Sequence, residues 1–285
     1  MGGPLANEFN VKKCKTLRIT RKRKNKTNYT YLMSTPHATT TTIDAEAIVY
    51  EAATEILQVN PPSISKFSPL DEIESDRYLG VILDNKISFN SHIDAICKKA
   101  TNLLNLCRRN LHMCSANIKE NAYKSIVRPQ LDYASPAWSP HTSKNIDRLE
   151  AIQRRAARFV LNNYEYGPDA NLTHKIQNQL KWLPLHHRRA LYDLALFFKI
   201  KHSIVNIPFP PTVLVSPRAP ASYINIQATH SDAYKYSYFP RTVRLWNQLP
   251  TNIQQMTSLQ SFKTSTSSWI TTLGWVKVNN TWALM

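Results

Sequence analysis

RYLGVILDNKISFNSHI, residues 77–93, divides the chain into a strand-bearing part and a helical part. Tyr78, Leu79, Gly80 and Val81 read as a short apolar strand that enters a polar turn. Ser91, followed three residues later by Asp94, predicts a capping box that starts a helix. In such a box each side chain bonds an otherwise unpaired backbone N–H.

Downstream of Ser91 the apolar residues recur at helical spacing. Ile93, Ile96, Cys97, Ala100, Leu103, Leu104 and Cys107 form one stripe, with Lys98, Lys99, Arg108 and Arg109 mostly off it. A second helix is expected from about Asn117 to Val127, ending near Pro129 in the segment RPQLDYASPAWSP. In NIDRLEAIQRRAARFVLNNY (145–164), Leu149, Ile152, Ala156, Phe159 and Val160 share one side. Arg148, Arg154, Arg155 and Arg158 share the other, with no acid among them. Such a face is either ordinary solvated surface or a grip on phosphates, and the four arginines favour the grip. A fourth helix, HHRRALYDLALFFKIKHS, follows Trp182-Leu183-Pro184. IPFPPTVLVSPRAP (207–220), with five prolines in fourteen residues, reads as an extended linker. A tail containing YSYFPRTVRLWNQLP and an aromatic-tipped end completes the chain.

Upstream, KKCKTLRITRKRKNKTNYTYL (12–32) carries an alternating strand, with Cys14, Thr16, Arg18 and Thr20 opposite Lys15, Leu17 and Ile19. A basic hairpin tip, RKRKNK, follows it. Charge is partitioned along the chain. Residues 1–30 hold nine bases and one acid, 31–76 one base and eight acids, and 77–285 twenty-six bases and ten acids. The acidic middle reads as an insertion at about 34–73. It begins Thr-rich, passes through a possible helix near Asp44–Leu57 and ends in NPPSISKFSP.

Several function classes are excluded by composition. Five glycines against seventeen prolines leave no room for a glycine-rich phosphate loop, and neither GxGxxG nor GxxxxGK[ST] occurs. The four cysteines, Cys14, Cys97, Cys107 and Cys114, form no CxxC pair. Cys107, His112 and Cys114 do not fall at a zinc spacing, so packed reduced thiols are expected. No apolar run approaches membrane-spanning length and MGGPLANEF has no signal-peptide core. The expected location is therefore intracellular, in nucleus or cytoplasm. A net charge of +17 points to a polyanionic partner.

Taken in order, YLGVILDNKISFNSHI, the basic helix, YKSIVRPQLDYASPAWSP and LEAIQRRAARFVL resemble the C-terminal part of reverse transcriptases from non-LTR, LINE/jockey-like retrotransposons. FNVKKCKTLRITRK resembles the segment just after that family's catalytic strand pair. LKWLPLHHRRALYDLALFFKI and FPRTVRLWNQLP resemble its post-thumb region and closing signature. The likeness covers most of the chain apart from about 34–73 and roughly the last fifteen residues. Two departures stand out. The acidic insertion is longer than the family's short link. In addition, the [FY]-A-D-D box that holds two metal ions in the family is missing, and no Asp-Asp pair occurs anywhere. The acids of DEIESD, with no alternating apolar strand around them, read as a polar loop rather than a metal site.

The resemblance implies a mainly α fold with a small β portion (α+β). Incomplete palm-edge strands would be followed by a helical thumb bundle and an irregular C-terminal region. It divides the chain into a palm remnant with its insertion (1–90), a thumb-like domain (91–164), a post-thumb helix region (165–206) and a Pro-rich linker with tail (207–285). It implies a truncated RNA-directed DNA polymerase that keeps template–primer contacts and is inactive by itself. The alternatives are a stand-alone non-enzymatic RNA- or DNA-binding module and a non-functional element remnant. No catalytic residue, metal ligand or cofactor is assigned, and Mg2+ is expected only of an intact family polymerase. The implied partners are RNA and RNA–DNA duplex, held through the backbone without sequence readout, and the missing upstream polymerase part; no membrane is expected. The implied nucleic-acid contacts are Lys12, Lys13, Tyr78, Leu79, Gly80, Lys98, Lys99, Arg108, Arg109, Arg154, Arg155 and Arg158.

Overall fold

A computed structural model describes residues 14–19, 31–34, 67–164, 179–215, 223–226, 231–272, 275–278 and 281–284. The basic tip 21–26 and the expected helix near 44–57 lie outside the described residues. The chain divides into two compact units, Met1–Ile87 and Ser88–Met285. The described residues are mainly α-helical with a small β portion.

In the first unit, β1 (Lys15–Leu17) pairs in parallel with β4 (Asp71–Ile73), and β2 (Leu32–Ser34) pairs antiparallel with β3 (Phe67–Pro69). The end of the acidic segment is thus built into strands, and Glu72 meets Arg18 at 3.0 Å. DEIESD is not the loop its polarity suggested. Backbone ladder bonds need no apolar side chains, so exposed Asp71 and Glu72 sit in β4 and Ser75 and Asp76 open β5 (Ser75–Tyr78).

The stretch 77–93 also folds differently from its reading. Tyr78-Leu79-Gly80-Val81 is not one strand. It is the corner of a hairpin, with β5 antiparallel to β6 (Val81–Asp84) and Tyr78 opposite Val81. Leu79 (φ 46°) and Gly80 (φ 85°) both take positive φ, the signature of a type I′ two-residue turn. Gly accepts that conformation freely, and Leu accepts it at a cost of about 1 kcal/mol.

The second unit opens with α1 (Asn90–Asn110). Its start is Phe89, in the left-handed region, and the Ser91–Asp94 capping box does not form. Ser88 Oγ accepts from the Asn90 N–H at 3.3 Å instead, while Asn90 Oδ1 accepts from Asn145 Nδ2 at 2.9 Å. Asp94 is drawn away by Arg148. The predicted stripe is inward: Ile93, Cys97, Ala100, Leu104 and Cys107 are buried. None of the four cysteines is in a disulfide, and burial pushes the Cys97 and Cys107 thiols up.

The second helix does not stop before Pro129. α2 (Ala116–Ala122), a wide π-type turn over Tyr123–Val127 and α3 (Arg128–Asp132) run on without a break. The Arg128 N–H bonds Tyr123 O, five residues back rather than four. That wider turn makes room for a proline ring that would clash in a regular helix. Ala134 (φ 51°) then turns the chain into the short α4 (Ser135–Trp138), where buried Trp138 donates its indole N–H to Tyr133 O at 2.8 Å.

α5 (Ser143–Leu161) buries Leu149, Ile152, Ala156, Phe159 and Val160, as its periodicity predicts. It closes at Asn162 in the left-handed conformation, with the Asn163 N–H on Arg158 O at 3.1 Å. Trp182-Leu183-Pro184 is pinned from two sides. Trp182 stacks on Tyr123 at 4.4 Å and donates to Glu120 Oε1, and Gln153 Nε2 donates to Leu183 O.

α6 (Leu185–Lys201) is the central post of the remaining chain. α8 (Tyr238–Gln248) and α10 (Leu259–Thr272) pack on it, after the short α7 (Asp232–Lys235) and around the short α9 (Thr251–Gln254). The segment read as linker and tail therefore supplies core. Leu194, Phe197 and Phe198 meet Trp246, Phe262 and Ile270 in one cluster. β7 (Val213–Val215) pairs with β8 (Ile224–Ile226), and Asn247 clamps Ile224 through both its backbone groups. At the end, β9 (Trp275–Val278) and β10 (Thr281–Leu284) form an antiparallel hairpin.

Buried charge ties these helices together. Arg241 of α8 holds Asp193 of α6 through two bonds, 2.8 and 3.1 Å, and donates to Pro136 O. Glu150 of α5 accepts from both the backbone N–H (2.9 Å) and the ring Nδ1 (2.8 Å) of His186. Burial works against the Glu150 carboxylate, but His186 and Arg189 outweigh it and hold the group below the ordinary value.

Candidate nucleic-acid interface

Two of the basic residues picked from the sequence, Lys98 and Arg155, come together where α1 packs on α5. An open groove of about 400 Å3 lies there, lined by Lys98 and Thr101 from α1 and Arg148 and Arg155 from α5. Packing of the two apolar stripes turns the polar flanks outward, which is how two amphipathic helices place cations along a shared seam.

The groove is not purely cationic. Arg148 reaches Asp94 at 2.6 Å across the seam. The sequence placed Arg148 on an acid-free face, yet the acid arrives from the neighbouring helix. Arg155 bonds Thr101 Oγ1 and Ala151 O, each at 3.4 Å, and stays exposed. Lys98 is also exposed, so Lys98 and Arg155 are the two predicted residues that the structure brings into one groove.

Lys98 and Arg109 stand eleven residues apart on one exposed face of α1, about 16 Å along its axis. Lys99 and Arg108 are exposed on its flanks. The Arg108 guanidinium lies over the Tyr164 ring at 5.6 Å, which pre-orients its donors. Arg154 and Arg158 are half-buried on α5.

The remaining predicted contacts lie elsewhere. Tyr78, Leu79 and Gly80 form the hairpin corner of the first unit, with Tyr78 67% and Leu79 75% exposed. Lys12 and Lys13 fall outside the described residues. Arg148 belongs to the arginine face read from the sequence, but its pairing with Asp94 was not foreseen, because it joins positions 54 residues apart.

Among the described residues no three His, Cys, Asp or Glu side chains gather as metal ligands. The carboxylates of DEIESD lie along two strands and the bend at Glu74 between them, with Glu72 engaged by Arg18, so this donor set does not fit a two-metal centre. Among the described residues no helix is long and apolar enough to cross a membrane.

Comparison with known proteins gives one orientation. No family model matches the chain. No solved structure matches it either. A curated protein of Drosophila melanogaster described as a probable RNA-directed DNA polymerase from transposon X-element is 30% identical over 105 residues. That alignment takes in 35% of this chain and 11% of the Drosophila protein. The chain is thus related over about a third of its length to a transposon RNA-directed DNA polymerase.

Proposed function

We propose that the chain is the C-terminal part of a non-LTR retrotransposon reverse transcriptase, and that its helical unit holds the template–primer duplex. The observation that carries this reading is the α1/α5 groove, where Lys98, Arg148 and Arg155 meet, flanked on the same two helices by Lys99, Arg108, Arg109, Arg154 and Arg158. These cations engage backbone phosphates, which fix register on a duplex and read no sequence. The similarity to a transposon polymerase and the net charge of +17 support the same reading.

In this reading the metal-holding carboxylates belong to the polymerase part upstream of KKCK, and this chain contributes grip rather than chemistry. Tyr78, Leu79 and Gly80 add contacts from an exposed corner that lets a backbone approach closely. Arg148, balanced by Asp94, orients the seam more than it adds free charge.

Binding of an RNA–DNA duplex to the full chain tests this. The logarithm of affinity should fall linearly with that of salt concentration, with a slope of about 0.9 per phosphate contact. Lys98→Glu with Arg155→Glu is expected to weaken binding at least about tenfold and to reduce that slope by about two. Unchanged affinity and slope in that variant would remove the groove from the interface.

A further inference from the structure

Between the end of α3, the Tyr133–Pro136 bend and α6 lies a cavity of about 590 Å3, with Lys263 of α10 at its edge. That volume is within the roughly 300–1,000 Å3 range of small-molecule sites. No residue lines both this cavity and the α1/α5 groove. Its wall is apolar at Pro129, Ala134, Ala195 and Leu196 and aromatic at Tyr133 and Tyr192.

Five cationic side chains border it against one carboxylate, Asp132. Three of them already have acids. Arg188 holds Asp132 Oδ2 through Nε at 3.1 Å and Nη2 at 2.7 Å, and Arg128 approaches the same oxygen at 3.9 Å. Lys124 pairs with Glu120 at 2.5 Å. Lys199 of α6 and Lys263 of α10 are in no ion pair among the described residues.

The aromatic groups are held in place. The Tyr192 hydroxyl bonds Asp132 at 3.3 Å while the Arg188 guanidinium covers its ring at 5.4 Å. Tyr133 is 59% exposed, on a backbone fixed by the Pro129 carbonyl and the Trp138 indole.

We propose that this cavity takes one unpaired nucleotide of a single-stranded nucleic acid, its base against Tyr133 and the apolar wall and its phosphates between Lys199 and Lys263. A single unpaired base can enter a cavity this size, whereas a base paired and stacked in a duplex would first have to be extruded from it. Every base offers a π-face, so stacking on tyrosine holds the strand without reading it. An acidic peptide would satisfy the lysines but leave the apolar and aromatic wall unused. The inference rests on the chain being nucleic-acid-binding, and it adds a strand-end site to the duplex groove.

The test compares a blunt RNA–DNA duplex with the same duplex carrying a single-stranded extension, of RNA in one arm and DNA in another, on the full chain. The extension is expected to tighten binding about tenfold. Tyr133→Ala, and separately Lys199→Gln with Lys263→Gln, should abolish that gain while leaving blunt-duplex affinity and melting temperature unchanged. A thiouridine-bearing single strand should photocrosslink to Tyr133, read by peptide mapping. No gain in the wild-type chain, a gain that survives both variants, or a cavity that binds a glutamate-rich peptide and no single strand would overturn the proposal. Loss of blunt-duplex binding with the Tyr133 crosslink intact would instead strike down the groove and leave this site standing.

Discussion

In the unit Met1–Ile87 the described strands are three or four residues long, and Val81 is the buried apolar side chain among its described residues. In the unit Ser88–Met285 buried apolar side chains run from Ile93 to Ile270. The first unit holds its described backbone by ladder bonds between mostly exposed side chains, and the second by interlocked helices. Short ladders with one buried face residue contribute little stability alone, whereas each fully buried aromatic of the second unit removes a large apolar area from water. Sites that must keep their geometry, such as the α1/α5 groove and the α6 cavity, accordingly lie in the second unit.

The difference in stability between the two units rests most heavily on Trp246, which is fully buried between Phe197 and Phe262. Trp246→Ala is expected to cost about 4 kcal/mol in urea unfolding, by lost burial plus a cavity. Tyr78→Ala, at the exposed hairpin corner, should stay within about 0.5 kcal/mol of wild type. Equal losses from the two would mean that stability is not concentrated in the helical unit.

Asp193→Ala comes next. It leaves Arg241 without its buried carboxylate and removes an acid beside Arg189, whose side chain is 2% exposed. Breaking one side of such a pair is expected to cost about 3 kcal/mol, because a cation then stays buried without compensation. Adding Arg241→Met should restore much of that loss, since the orphaned charge goes with it. Additive losses in the double variant would show that Asp193 and Arg241 act separately.

These contacts also mark how far the sequence could be read. The stripes of α1 and α5 were legible because the signal is local: one helix repeats its burial every three or four residues. The Tyr78–Val81 corner was not, because Leu-Gly lacks the Asn-Gly or Asp-Gly signature of a type I′ turn and the pairing strand decides the outcome. Pro129 suggested a helix end, but the wide turn at Tyr123–Val127 accommodates it. The α6–α8 docking was invisible for a different reason. Asp193 and Arg241 are 48 residues apart, and Arg241 and Pro136 are 105 apart, so neither periodicity nor capping could announce them. The basic residues of the groove were picked individually, and their assembly, with Asp94 opposing Arg148, came only from packing.

A smaller effect follows from His187, which burial, with His186 beside it, pushes down to about 3 despite Glu150. It stays neutral in the fold while the unfolded chain binds a proton below the ordinary value of 6.5. The unfolded state therefore holds more protons between those two values, and stability rises with pH there. The slope from this group is at most about 1.4 kcal/mol per pH unit. His187→Asn should flatten the wild-type profile by that amount when denaturation is repeated across the interval. An unchanged slope would place the titration on another group.

The smallest effect returns to Leu79 and acts on the weaker unit. A leucine at φ 46° is held against its own sterics, whereas asparagine tolerates that region. Leu79→Asn is therefore expected to stabilise the β5–β6 hairpin by about 1 kcal/mol, seen as slower amide exchange over Val81–Asp84. Global unfolding of the helical unit should not change. The informative measurement is duplex binding by the same variant. If strain at Leu79 is kept because its exposed side chain touches nucleic acid, the hairpin gains stability and the chain loses affinity together. If both stability and affinity rise, Leu79 is only a poor turn residue, and the nucleic-acid contacts contract to the helical unit.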